Sequence, residues 1–556
     1  MIRKHGQSTL SYPITSMKFW LNKKFQPNNN KDIPRFTCEG QTDLGLAKNR
    51  YKMKDNSIPA NKFVLQANYA DSSGVHNGGL ERLINDTWYR AQVDGKYVLR
   101  TEPQLVATVG SSEKSTYGLE HVWHDYINND FPTPIRVAPD SFPCVVFYKN
   151  GEGEVTYLGQ YVFMEDKKSD FNYGERSIYK ADPSDPFCLT TANKDADTTA
   201  NKIWDNDNVL RIEVLDVNDI FTSYMNWTKD GVNFDADVPE VRTTDPETGV
   251  VSVIERHYKW EENFEMIYPD PDDITAKTTD QEKFGTNSKF RATAQPFLTW
   301  VKWLTDCRNN YNVATDWWNA GTYASAQEAF NATAADHLDL YKMAAYYIFM
   351  LRFGLVDSGE RNVQIKTYDG VHFHYEPWDM DIAMGNRNDG GIAFAPPVDR
   401  TTRLGNGYAI SGRSATTSNF LWDALEGSTE WSTVIVPKVA QALFTAGLTY
   451  DNCAEMFDEE YAEKWSEILY NKSGYYKYIT RGGGSQMYLN WLQGARMLHR
   501  HWWLSSSMNY YDAKWGCGSF NDSRIDLFAG HQGAENTTEY ITIHPSSNTF
   551  FKMMVN

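Results

Sequence analysis

The sequence predicts an α+β fold in which a sheet-rich N-terminal part precedes a helical body, and three observations predict it. SMKFWLN at 16–22 alternates imperfectly between apolar and polar residues. CVVFYKNGEGEVTYLGQYVFMED at 144–166 sets apolar runs on both sides of the polar turn Lys149 to Glu154, the pattern of a hairpin. Beyond about residue 296, apolar residues recur at helical spacing.

Each element follows in order along the chain. In GGLERLINDTWYRAQ (78–92), Leu80, Leu83, Ile84 and Trp88 share one helical face. With the flanking strands this makes an N-terminal α+β lobe over 1–185. Residues 186–295 change character: VPEVRTTDPETG and YPDPDDITAKTTDQEKFG are dense in Pro, Asp and Thr, and predict an acidic, loop-rich insertion. A helical lobe over 296–515 follows, with QPFLTWVKWLTDC, TSNFLWDALEG, STVIVPKVAQALFTAG, DEEYAEKWSEILYNK and QMYLNWLQGARMLHRHWWLSSSMNYYDAKW as its helices. Within it, DHLDLYKMAAYYIFMLRFG repeats apolar residues at Leu338, Tyr341, Ala345, Ile348 and Phe349, and its richness predicts burial on most sides. The tail, 516–556, returns to Gly turns and alternation, as in EYITIH, and reads as a small β region.

Composition narrows the function. A formal charge of −18, from 72 acids against 54 bases, argues against general nucleic-acid binding. Aromatic residues make up 14% of the chain and suit either extensive packing or broad protein interfaces. The six cysteines are scattered without a CxxC pair, and read as small buried apolar side chains. No apolar run approaches the length of about 18 residues that a transmembrane helix needs, and the start MIRKHGQSTLSYP lacks the apolar core of a signal peptide. Neither GxxxxGK[ST] nor GxGxxG before a helix occurs.

The chemistry-bearing stretch is LVDSGERNVQIKTYDGVHFHYEPWDMD at 355–381. Asp357 and Asn362 fall on a loop after the apolar helix; a hairpin turning at Asp369-Gly370 then leads to Asp379 and Asp381. Phosphoryl transfer needs an aspartate to orient the attacking hydroxyl, and an amide oxygen and a carboxylate to hold Mg²⁺ on the phosphates. This order of residues supplies all three. If WDMD continues the strand, Asp379 and Asp381 point the same way and both face one ion. The alternative is that each acid is a turn acceptor or the partner of a neighbouring Arg or Lys. Gly385-Asn386 and Gly390-Gly391 read as chain turns.

These residues resemble the CotH family of spore-coat kinases. GQSTLSYPITSMKFWL (6–21), NKFVLQANYADSSGVHN (61–77), TYLGQYVFMED (156–166) and WDMD are each similar to a signature of that family, and the resemblance spans about 1–185 and 290–430. It implies an atypical protein-kinase-like, two-lobed core that uses ATP with Mg²⁺ or Mn²⁺. It further implies Asp357 as the catalytic acid, Asn362 and Asp379 as metal ligands with Asp381 the alternative to Asp379, and Lys18 and Glu165 as nucleotide-site groups. Read from its strand alone, Lys18 is a surface lysine that snorkels, and Glu165 a structural partner of Lys167. Two features depart from the family. The chain begins almost on the Gly-x-Ser signature, so part of the nucleotide lobe is expected to be missing or supplied by another chain. Gly74-Val75-His76 stands where the family often carries Arg.

The later segment LQGARMLHRHWWLSSSMNYYDAKW resembles part of very large virion proteins of crAss-like bacteriophages, which carry tail-muzzle proteins. That resemblance implies a structural protein of the virion tail, with copies of itself and other tail proteins as partners and a host-surface contact within reach. Three functions therefore stand: tail architecture on a CotH-like domain, an ATP-dependent protein Ser/Thr kinase, and a binder of host-surface glycans or receptors. His499, Arg500 and His501 are adjacent on a helix, share no face, and read as interfacial or solvated.

Overall fold

The computed structural model describes residues 2–4, 15–20, 53, 62–67, 76–88, 90–98, 104–105, 137–167, 175, 178–182, 185–190, 202–205, 208–214, 241–255, 264–274, 289–309, 323–355, 363–385, 420–457 and 503–518. Asp357, Asn362, the Asn386 and Gly390-Gly391 turns, the helix expected over 458–472, His499 to His501 and nearly all of the terminal β region lie outside the described residues. The architecture is α+β, with several antiparallel sheets and a helical body.

Five strands form the first sheet: β1 (Ile2–Lys4), β2 (Met17–Trp20), β3 (Lys62–Gln66), β4 (Ser141–Lys149) and β5 (Val155–Glu165), in the order β1-β2-β3-β5-β4. Strand alternation gives the sheet two distinct faces. On one, Phe19, Phe63 and Phe163 stack with ring centroids 5.0 to 5.5 Å apart. On the other, Lys18 pairs across the strands with Val64, and Val64 with Met164. Val64, Val162 and Met164 then pack against Trp378, so the tryptophan of WDMD docks on the face that carries Lys18. The β4–β5 hairpin forms where the sequence places it, with Asn150 Oδ1 accepting from the amides of Glu152 and Glu154 in its turn.

A second sheet joins β6 (Leu210–Val214), β7 (Phe264–Tyr268), β8 (Val363–Thr367) and β9 (Phe373–Pro377), in the order β7-β6-β8-β9. Two of its strands come from the segment read as a loop-rich insertion. LRIEV and FEMIY are five-residue strands, too short to stand out among Pro, Asp and Thr, and β8 supplies the pairing that fixes β6. Further strands lie at Gln104–Leu105, Ile178–Asp182, Asp185–Thr190 and Lys202–Asp205, which share a small sheet, and at Val241–Thr244 and Val251–Glu255.

The helical body contains α1 (His76–Trp88), α2 (Lys289–Asn309), α3 (Ala326–Thr333), α4 (Leu340–Phe353), α5 (Phe420–Gly427), α6 (Val436–Thr445, entered through a π turn at Trp431–Ile435), α7 (Tyr450–Glu455) and α8 (residues 503–514). The helix α4 is its axis. Asp339 caps its first turn by accepting from the Lys342 amide at 3.1 Å, and Gly354, at φ 55°, closes it in the left-handed region that only glycine adopts freely. Twelve of its 14 residues are buried, as its all-round apolar sequence predicts.

The aromatic richness of the sequence goes largely into this core: Trp88, Trp300, Trp422, Trp431 and Trp503 are fully buried. Even the segment with the phage-like resemblance turns inward where it is described. Trp503 Nε1 and Ser507 Oγ both donate to the Arg352 carbonyl, at 2.9 and 2.6 Å, and Asp512 pairs with the buried Arg352 guanidinium at 2.6 Å. Among the described residues no helix is long and apolar enough to cross a membrane.

Candidate functional site

The site is built at the seam between the first sheet and α1. Strand β9 ends at Pro377, and the chain then leaves sheet geometry: Asp379 has φ 55° and Met384 φ 53°, both in the left-handed region. WDMD is therefore a turn and not a strand continuation. Strand alternation does not align Asp379 with Asp381, because Asp379 is itself left-handed and redirects the chain that follows it.

Side chains from two other elements hold this turn. Asp379 Oδ1 accepts from Gln66 Nε2 of β3 and from Asn77 Nδ2 of α1, each at 3.3 Å. Asn77 Oδ1 in turn accepts from the Met380 amide at 2.7 Å, so one asparagine holds both the Asp379 carboxylate and the Met380 backbone N–H. The Asp381 carbonyl oxygen lies 3.3 Å from His76 Nδ1, and since a carbonyl only accepts, Nδ1 carries the proton. Met384 N donates to the Phe353 carbonyl at 2.7 Å, which ties the end of the turn to the end of α4.

Lys18 does not snorkel: it is buried beneath the sheet and pairs with Asp166. Glu165 is also buried, and its Oε2 accepts from the Asp140 amide at 3.4 Å. Lys167 pairs with Glu213 and, at 3.3 Å, with Glu265. Burial pulls Lys167 below the usual lysine range, against the opposing pull of Glu265 and Asp166.

The structure thus brings Lys18, Asp166, Gln66, Asn77 and Asp379 to one seam. Gln66 and Asn77 have no counterpart among the residues that sequence reading singles out. Both lie in NKFVLQANYADSSGVHN, and the signal available for them was amide side chains bordering a strand end and a helix start.

A second polar cluster occupies the β6–β8–β9 face turned away from the core. Register places Arg211 opposite Lys366 and Lys366 opposite His374; one step along, Glu213 faces Gln364 and Gln364 faces Glu376. Glu175 joins from outside the sheet, 2.6 Å from Arg211 and 3.5 Å from Lys366, while Lys366 lies 3.2 Å from Glu376. All five of Arg211, Glu175, Lys366, Glu376 and His374 are essentially inaccessible. Burial works to raise the Glu376 carboxyl, but Lys366 and a hydrogen bond with His374 outweigh it and hold it at about 2. Burial also lowers His374 below the usual imidazole value.

Among the described residues, no group of three or more His, Cys, Asp or Glu is arranged to hold a metal ion. No family model matches the chain, and no curated protein matches it.

Proposed function

We propose that this chain is a structural component of a bacteriophage tail built on a CotH kinase-like domain, working beside copies of itself and other tail proteins. The observation that carries the reading is the engagement of Lys18. Lys18 is buried against Asp166 and its ammonium closes a pair within the chain; a scaffold asks nothing more of it, whereas a nucleotide site would need the same paired ammonium to reach a phosphate as well. An architectural use of the fold keeps the scaffold and leaves such pairs closed. The phage-like segment at 492–515 supplies the virion part of the reading. Reconstruction of the tail of particles carrying this chain should show repeated ordered copies of it; particles lacking the chain altogether would overturn the reading.

An ATP- and Mg²⁺-dependent protein Ser/Thr kinase is the second reading, and the seam favours it in one respect. Asp379 is oriented by the amides of Gln66 and Asn77, on the sheet face that also bears Lys18. In that reading Asp357 orients the acceptor hydroxyl, and Asn362 with Asp379, or Asp381 in its stead, holds the metal. The same preparations, incubated with γ-labelled ATP and Mg²⁺ beside Asp379→Ala, separate the two: label in the parent and none in the variant establishes transfer, whereas equal label in both removes the kinase.

A further inference from the structure

A cavity of about 480 Å³ lies at the other end of α4 from the WDMD turn, between the first turn of α4, the tip of the β8–β9 hairpin and the π turn before α6. Fourteen helical residues, about 20 Å at 1.5 Å each, separate the two ends. The volume falls in the range of roughly 300 to 1,000 Å³ found for small-molecule sites.

The lining is polar and aromatic, its two lysines are already matched, and Glu430 adds a further carboxylate. Lys342 pairs with Asp339, His372 with Asp369 at 2.6 Å, and Lys438 with Asp94 at 3.0 Å. An anionic ligand would have to break a lysine pair to gain its own partner and would meet Glu430, whereas a neutral one need not. Lys342 is itself buried, so its pair with Asp339 is a fixed part of the wall. Tyr368 stacks on the buried His374 at 5.8 Å, which closes the floor with aromatic surface. At the rim Tyr341 is 39% exposed and Val434 43% exposed, an apolar edge beside carboxylates and an ammonium.

We infer that this cavity binds a neutral saccharide. A pyranose has an apolar C–H face that suits a tyrosine ring and a girdle of hydroxyls that both donate and accept. Asp339, Asp369 and Glu430 are acceptors for such hydroxyls and Lys342 a donor, so a neutral sugar finds both kinds of partner without disturbing the lysine pairs. The inference goes beyond the tail reading and does not depend on it; its failure leaves that reading where it stands.

The test is saturation-transfer NMR on the full chain with glucose, galactose and N-acetylglucosamine, using glucuronate and glucosamine as charged controls. At least one neutral sugar should receive saturation. Its affinity should fall about tenfold, or ~1.4 kcal/mol, in Tyr341→Ala and return in Tyr341→Phe. Tyr341 is an exposed helical position, so the variant's thermal midpoint should match the parent's and exclude unfolding as the cause. No transfer to any neutral sugar, stronger binding of a charged control, or unchanged affinity in Tyr341→Ala would each overturn the inference.

Discussion

On the polar face of β6–β8–β9, Arg211, Glu175, Lys366, Glu376 and His374 compensate one another directly, whereas at the seam with the first sheet Asp379 is gripped by two neutral amides. Both arrangements satisfy buried or half-buried polar groups, but they differ in what they do with charge. Mutual ionic compensation locks each group into one protonation state and makes the cluster fail as a unit when a member is removed. The amides of Gln66 and Asn77 give Asp379 directional hydrogen bonds and add no charge of their own. The first pattern ties several charges together, and the second fixes the position of one carboxylate.

The largest expected effect comes from breaking the ionic cluster. Lys366→Met leaves Glu175 and Glu376 facing each other without the cation between them, and should lower unfolding stability by about 5 kcal/mol, the upper end for a broken buried pair. Chemical denaturation of parent and variant measures it. A loss below about 1 kcal/mol, the scale of a surface pair, would mean that the cluster is not cooperative.

Acid should reveal the same cluster without mutation. Glu376 is held at about 2 against an ordinary 4.5, so its contribution is fully present above pH 4.5 and drains away as the pH falls toward 2. The sign follows because the unfolded chain binds the proton first. The contribution is on the order of 3 kcal/mol, since each tenfold change in proton affinity is worth about 1.4 kcal/mol. His374 acts in the same direction at higher pH: lowered from 6.5 by burial, it resists a proton that the unfolded chain accepts, so stability already declines as the pH drops below 6.5. Stability measured from pH 7 to 3 should fall steadily, and Glu376→Gln should flatten the part below 4.5; an unchanged slope in that variant would assign the acid sensitivity elsewhere.

The smallest effect belongs to the seam. Asn77→Ala removes the acceptor of the Met380 amide and one donor to Asp379, and should cost about 1 to 2 kcal/mol, the scale of one to two neutral hydrogen bonds. Hydrogen exchange at the Met380 amide checks the local loosening. A cost as large as that of Lys366→Met would erase the contrast between the clusters.

The periodic elements were legible. The β4–β5 and β8–β9 hairpins, α1, α2, α4 and α5 form where alternation, helical spacing and turn residues place them, because those signals are local. β6 was not legible, since LRIEV in isolation is a short alternating run in an acidic context. What makes it a central strand is β8, about 150 residues further on, with β7 on its other side. The seam was half legible: the sequence marks Lys18, Asp379 and Asp381 as chemistry-bearing, but not that Lys18 is paired or that Gln66 and Asn77 hold the turn.

By itself the sequence determined the class of fold, the strands and helices with strong periodicity, and an acidic chain whose aromatic side chains demand extensive burial. Only the tertiary structure decided which charges neutralise one another. It sets Arg211, Lys366 and His374 in register across three strands, and it sends Asp379 into a left-handed turn between a strand-end glutamine and a helix-start asparagine. The physical reason is range. Periodicity and turn chemistry act over a few residues, while burial and charge compensation depend on which distant segments share a face.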